Sequence, residues 1–175
     1  MSSLRDNYGS ISGTKTPFIR HATNDGLVSG SIDAAINGSV TPVKFYIQPA
    51  VDEVFEILST VLVVSSLASN PAIGKYGNND LALTNGVQFF IEQDGVETIL
   101  GSPIIDNADL AGIYAANGTY GFASSINLRT YRADLPNAFI LRGKTSDKYG
   151  IIVQDDLSTL NTHNLNLVGL VSTQV

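Results

Sequence analysis

Cysteine and tryptophan are both absent from this 175-residue chain, and histidine occurs only twice. The first absence excludes disulfides, thiolate metal sites and a cysteine nucleophile. The second removes the ring that most often serves as a sugar-stacking platform. Charge is scarce as well: Asp, Glu, Lys and Arg make up 15% of the residues, against about 25% in an ordinary soluble domain. Ten Lys and Arg against sixteen Asp and Glu leave a net charge of -6, and the cations are spread singly along the chain. No basic stripe is available for phosphate, so no nucleic-acid partner is expected. No apolar run reaches the roughly eighteen residues of a membrane span. The nearest, residues 51–68, is interrupted by Asp52, Glu53 and Glu56, and no membrane partner is expected. The opening Met1-Ser2-Ser3-Leu4-Arg5-Asp6 lacks the apolar core of a signal peptide, and the chain reads as a protein made in a cytoplasm.

What is present is apolar: 43% of the residues are hydrophobic and the mean hydropathy is +0.13. A chain of this length buries about two thirds of its surface on folding, enough for one sizeable core. The polar surface must then come from Asn, Ser, Thr and Gln. Residues 1–26 have a different texture, rich in Ser, Gly, Thr and Asn with isolated Leu4, Tyr8, Ile11, Phe18 and Ile19. We read them as an extended N-terminal arm in which those five side chains are interface anchors, and residues 27–175 as the folded domain. Pro17 favours an extended backbone at Thr16.

From residue 27 onward, short apolar runs alternate with turn dipeptides. Asp25-Gly26, Asn37-Gly38, Asn85-Gly86, Asp94-Gly95 and Asn117-Gly118 suit positions of positive φ, as in tight hairpins. Strands are predicted over 40–48, 54–67, 86–93, 97–100, 120–131, 138–142, 149–154 and 163–171. Alternation is clearest in Val43-Lys44-Phe45-Tyr46-Ile47 and in Asn164-Leu165-Asn166-Leu167-Val168. Alanines over 108–116, after Asp106 or Asn107 as a cap, leave room for a short helix. Eight or nine antiparallel strands with uneven connections predict an all-β, two-sheet sandwich of jelly-roll type.

Catalytic chemistry finds little to work with. His21 falls in the presumed arm and His163 at the start of the last strand, where the ordinary reading is an exposed or strand-end histidine. Neither stands near a Gly-x-Ser-x-Gly elbow, and two histidines do not supply the three protein ligands of a catalytic zinc site. Carboxylates are paired in sequence at Glu53 and Glu56, Glu92 and Asp94, Asp106 and Asp109, and Asp155 and Asp156. The last two pairs fit strand-ending turns in which Asp side chains bond nearby backbone N–H groups, with calcium as the alternative. Gly74-Lys75-Tyr76-Gly77 lacks the frame of a phosphate loop. We assign no catalytic residue, no cofactor and no metal ligand.

The stretch from Arg142 to His163, with Gly150-Ile151-Ile152-Val153-Gln154-Asp155-Asp156-Leu157-Ser158 at its centre, resembles the ending of small jelly-roll accessory proteins in the virions of tailed bacteriophages. Thr84-Asn85-Gly86-Val87-Gln88-Phe89-Phe90-Ile91 resembles their mid-domain strand. The resemblance implies a non-enzymatic structural protein located in the virion, most simply a capsid cement or decoration protein bound to the major capsid protein and associating with itself as a homotrimer. A neck or tail adaptor, and a carbohydrate-binding jelly-roll module of a receptor-binding appendage, are the alternatives.

Overall fold

The computed structural model describes residues 14–23, 36–66, 75–76, 83–106, 109, 119–123 and 126–173, with the side chains of 65–66, 119–137 and 161–162 excepted. Nine strands build two sheets: β1 (Thr16–His21), β2 (Val43–Ile47), β3 (Glu53–Ser66), β4 (Val87–Gln93), β5 (Val96–Ile104), β6 (Thr119–Ala123), β7 (Ile126–Arg142), β8 (Lys148–Val153) and β9 (Leu160–Thr173). One sheet has the order β1-β9-β3-β7-β6, the other β2-β8-β4-β5, and every neighbouring pair is antiparallel. The chain crosses between the sheets from β1 to β2, β3 and β4, from β5 to β6, and again from β7 to β8 and β9. First strand therefore lies beside last and second beside second-last. With β6 set aside as a hairpin addition, this is the strand order of a jelly roll, the predicted fold class.

The boundary of the N-terminal arm is corrected. Thr16–His21 pairs residue for residue with Val171 to Asn166 on β9, and the Phe18 ring lies in the core, 4.8 Å from that of Phe55. The domain thus begins ahead of residue 27. A six-residue edge strand needs few inward side chains and tolerates Pro17, so its polar composition does not betray it. Phe18 anchors the chain's own sandwich, whereas Ile19 points outward and is 71% exposed. Leu4, Tyr8 and Ile11 lie outside the described residues, as does the expected helix over 108–116 apart from Asp109.

The Asp94-Gly95 hairpin is present as predicted, with φ of 51° and 77° in the two turn residues between Gln93 and Val96, the left-handed pair that a two-residue turn requires. The expected break between 131 and 138 is instead an irregularity inside β7. Its ladder to β3 runs from Ile57↔Phe139 to Ser59↔Asp134, leaving Leu58 alone on β3 and four residues, 135–138, on β7.

That bulge decides the core. Ahead of Leu58 the odd-numbered Phe55 and Ile57 face inward; beyond it the even-numbered Leu62 and Val64 do. An extra residue shifts the pleat by one and exchanges the two faces of the strand. On β9 the parity is unbroken across from this bulge, with His163, Leu165 and Leu167 inward, and a second shift at the start of β9, between Ser65↔Thr162 and Ser66↔Leu160, brings Leu160 into the core. Gly169 stands opposite Ile57 beside the bulge. A Cβ there would sit 2.1 Å from the Glu56 carbonyl oxygen. Gly169→Ala is expected to lower the unfolding free energy by at least roughly 2 kcal/mol, since backbone must move to admit the methyl; urea denaturation reads this directly.

Candidate functional site

The two histidines do not come together. His21 lies opposite Asn166 and points away from the core, while His163 is enclosed at 3% exposure on the inner face of the same sheet. The reading of His163 as exposed is therefore corrected. Its Nε2 meets the Tyr76 hydroxyl at 2.7 Å, and its Nδ1 has no partner. Burial pushes its pKa from 6.5 down to about 4, because a charged ring would lose its hydration.

The paired carboxylates do not converge on a common site either. Glu53 and Glu56 fall on opposite faces of β3; Arg20 reaches Glu53 and Lys15 reaches Glu56. Asp106 and Asp109 bond each other's turn: Asp109 accepts from the N–H groups of Ile105 and Asp106, and Asp106 from that of Asp109. This is a reciprocal cap of the kind that opens a helix. Asp156 accepts from Ser158, and the Ser158 side chain and backbone hold its carboxyl below the usual range.

Asp155 and Asp147 do something the sequence did not disclose. Asp155 Oδ2 accepts from the backbone N–H groups of Thr84, Asn85 and Gly86 at 3.1, 2.9 and 2.6 Å, closing the end of the β3–β4 connection onto the end of β8. At the opposite end Asp147 accepts from Asp94 N and Arg142 N and from the Thr145 hydroxyl. Ionised acceptors bonded to several amides are the strong form of such contacts. Both groups hold loops in place, and among the described residues no cluster of three or more His, Cys, Asp or Glu is placed to hold a metal ion.

The outer faces of the two sheets differ in kind. Across the four-stranded sheet, Lys44 pairs with Glu97 and Lys148 with Glu92, while Gln154 bonds Gln88 at 2.9 Å. Glu92 and Glu97 stand directly opposite one another, so the two lysines also relieve a like-charge contact. The Lys44 ammonium lies 5.2 Å from the Phe90 ring and that of Lys148 5.6 Å from Tyr46. Phe90 is fully buried beneath this lattice, opposite Gly150. The described side chains on the outer face of the five-stranded sheet include Ile19, Leu58, Val61, Val63, Val168 and Leu170, interspersed with His21, Asn164 and Asn166, and Arg132 holds the ladder position opposite Val61. Its one ion pair among the described residues is Lys15 with Glu56.

Comparison with protein-family models, with curated proteins and with solved structures found no match. The class established is therefore that of the fold, an antiparallel jelly-roll sandwich.

Proposed function

We propose that this chain is a non-enzymatic structural protein that binds other protein surfaces through the outer face of its five-stranded sheet. The observation that carries the reading is the asymmetry of the two outer faces. One is laced with charge pairs, as a solvated sheet is. Among its described side chains the other is mostly aliphatic with a single ion pair, and fixed charge is what the core of a protein interface excludes. On a chain of net charge -6, such a face is also where like-charge repulsion opposes association least.

The resemblance carried by residues 142–163 and 84–91 supplies the setting: a tailed-phage virion, with the chain as a capsid cement or decoration protein on the major capsid protein and a homotrimer as its assembled form. A sugar-binding module would call for exposed tyrosines. Among the described tyrosine side chains Tyr76 and Tyr149 are buried and Tyr46 lies half-buried under Lys148.

The test is retention on purified particles. The wild-type chain should stay with them at a fixed ratio to the shell protein, and Val61→Lys combined with Leu170→Lys should fold yet be lost at least tenfold. A ratio far below that of the shell protein would assign the chain to the neck or tail. Absence of the wild-type chain, or undiminished retention of the double variant, overturns the proposal.

A further inference from the structure

Asn-Gly is the sequence most open to deamidation, because a glycine puts no side chain in the way of its own nitrogen. That nitrogen gives up its proton and attacks the asparagine Cγ; the new N–C bond forms as ammonia leaves, and water then opens the succinimide to aspartate or isoaspartate. Asn37-Gly38 and Asn85-Gly86 are two such pairs, each with an exposed asparagine and a buried glycine. Both glycines meet the same residue. Gly38 N donates to the main-chain oxygen of Asp155 at 2.9 Å, and Gly86 N to its Oδ2 at 2.6 Å. We propose that Asp155 guards both asparagines against deamidation, its carbonyl at Asn37 and its carboxylate at Asn85. The third pair, Asn117-Gly118, lies outside the described residues.

Reaction at Asn85 requires Gly86 N to lose its proton and swing onto Cγ. The carboxylate opposes both steps: its hydrogen bond to that N–H must break, and its charge disfavours an anion on the nitrogen it faces. Thr84 N and Asn85 N donate to the same oxygen, so the peptide groups on both sides of the Asn85 Cα are held. Asn85 Nδ2 donates to Gln154 O at 3.3 Å, which draws the carboxamide toward the end of β8. At Asn37 the tie is neutral, but it belongs to a short ladder. Leu157 N donates to Ile36 O at 2.7 Å, Asn37 bridges to Asp156, and Asn37 Oδ1 accepts from Ser39 N and Ser39 Oγ.

A bulkier residue after asparagine is the ordinary brake on this reaction, and neither site has room for one. Gly86 has a φ of 80°, and a Cβ there would sit 2.6 Å from the Ile104 carbonyl oxygen. At Gly38 a Cβ would sit 2.2 Å from that of Val153. Protection therefore has to come from the partner of the nitrogen. Having to break a hydrogen bond to a charged group slows the attack by about 10- to 100-fold.

Peptide mapping by mass spectrometry, on the full chain held at mildly alkaline pH, tests this against the same chain unfolded in guanidinium chloride. In the folded wild type, Asn37 and Asn85 should each react at least about tenfold more slowly than in the unfolded chain. Asp155→Ala should raise the rate at Asn85 by about 10- to 100-fold and leave Asn37 as slow as before, since the main-chain carbonyl remains. Three results overturn the proposal: folded wild-type rates equal to the unfolded ones; no rise at Asn85 in Asp155→Ala, or a fall, which would make the carboxylate a base for the reaction; or an equal rise at both asparagines, which marks opening of the whole domain. Should Asp155→Ala not fold, Asp155→Asn takes its place, with a smaller rise expected at Asn85 alone.

Discussion

A chain lacking residues 2–24 should fail to form the sandwich, because the deletion removes β1. Phe18 is inside the core against Phe55, and Arg20 lies 5.4 Å from the Phe18 ring and 4.5 Å from that of Phe55 while pairing with Glu53. Phe18→Ala in the full chain should cost roughly 3–5 kcal/mol, out of the 5–15 kcal/mol of a typical domain. The deletion adds to this the loss of the whole β1–β9 ladder and leaves β9 as a long unpaired edge, which invites aggregation. Urea denaturation of the point variant, and circular dichroism and light scattering of the truncated chain, read the two effects. A truncated protein that stays monomeric and unfolds cooperatively at the wild-type midpoint would show that β1 is dispensable.

Asp155→Ala should be the most damaging single change at a polar residue, at roughly 2–4 kcal/mol. It strips the acceptor from three N–H groups, and each such bond to a charged group is worth about 1.5–3 kcal/mol. The three do not add in full, since Thr84 and Asn85 are exposed and water can replace the carboxylate there, whereas Gly86 is buried. Asp155→Asn keeps one oxygen and loses the charge, so its cost should fall between wild type and alanine. Equal stability of all three proteins in urea would mean that the contacts contribute nothing.

Local signals carried the parts of the fold that depend on neighbours in sequence. Asp94-Gly95 gave away the β4–β5 turn, and the strict alternation from Asn164 to Val168 gave both the strand and its inward set. Signals failed where a partner is remote. The length of β3 was legible but its two inward sets were not, because one extra residue at Leu58 inverts them and nothing in Ile57-Leu58-Ser59 announces it. The Ser124-Ser125 sequence between β6 and β7 lacks the Asn-Gly or Asp-Gly signature, so residues 120–131 read as a single strand. His163 looked exposed because Tyr76, which covers it, is 87 residues away. The acceptor role of Asp155 toward residues about 70 positions distant was invisible for the same reason. The contrast between the two outer sheet faces is likewise a property of register, which no single strand displays.

The two loop-holding aspartates have a consequence for where the protein can work. Each joins chain segments far apart in sequence, 69 residues between Asp155 and Gly86 and 53 between Asp147 and Asp94, and so occupies the topological position that a disulfide takes in many small β-sandwiches. A carboxylate tie forms without an oxidant, cannot be scrambled by thiol exchange and is indifferent to glutathione. The domain should therefore unfold at the same urea concentration with and without millimolar dithiothreitol, and keep its form on passing between reducing and oxidising surroundings.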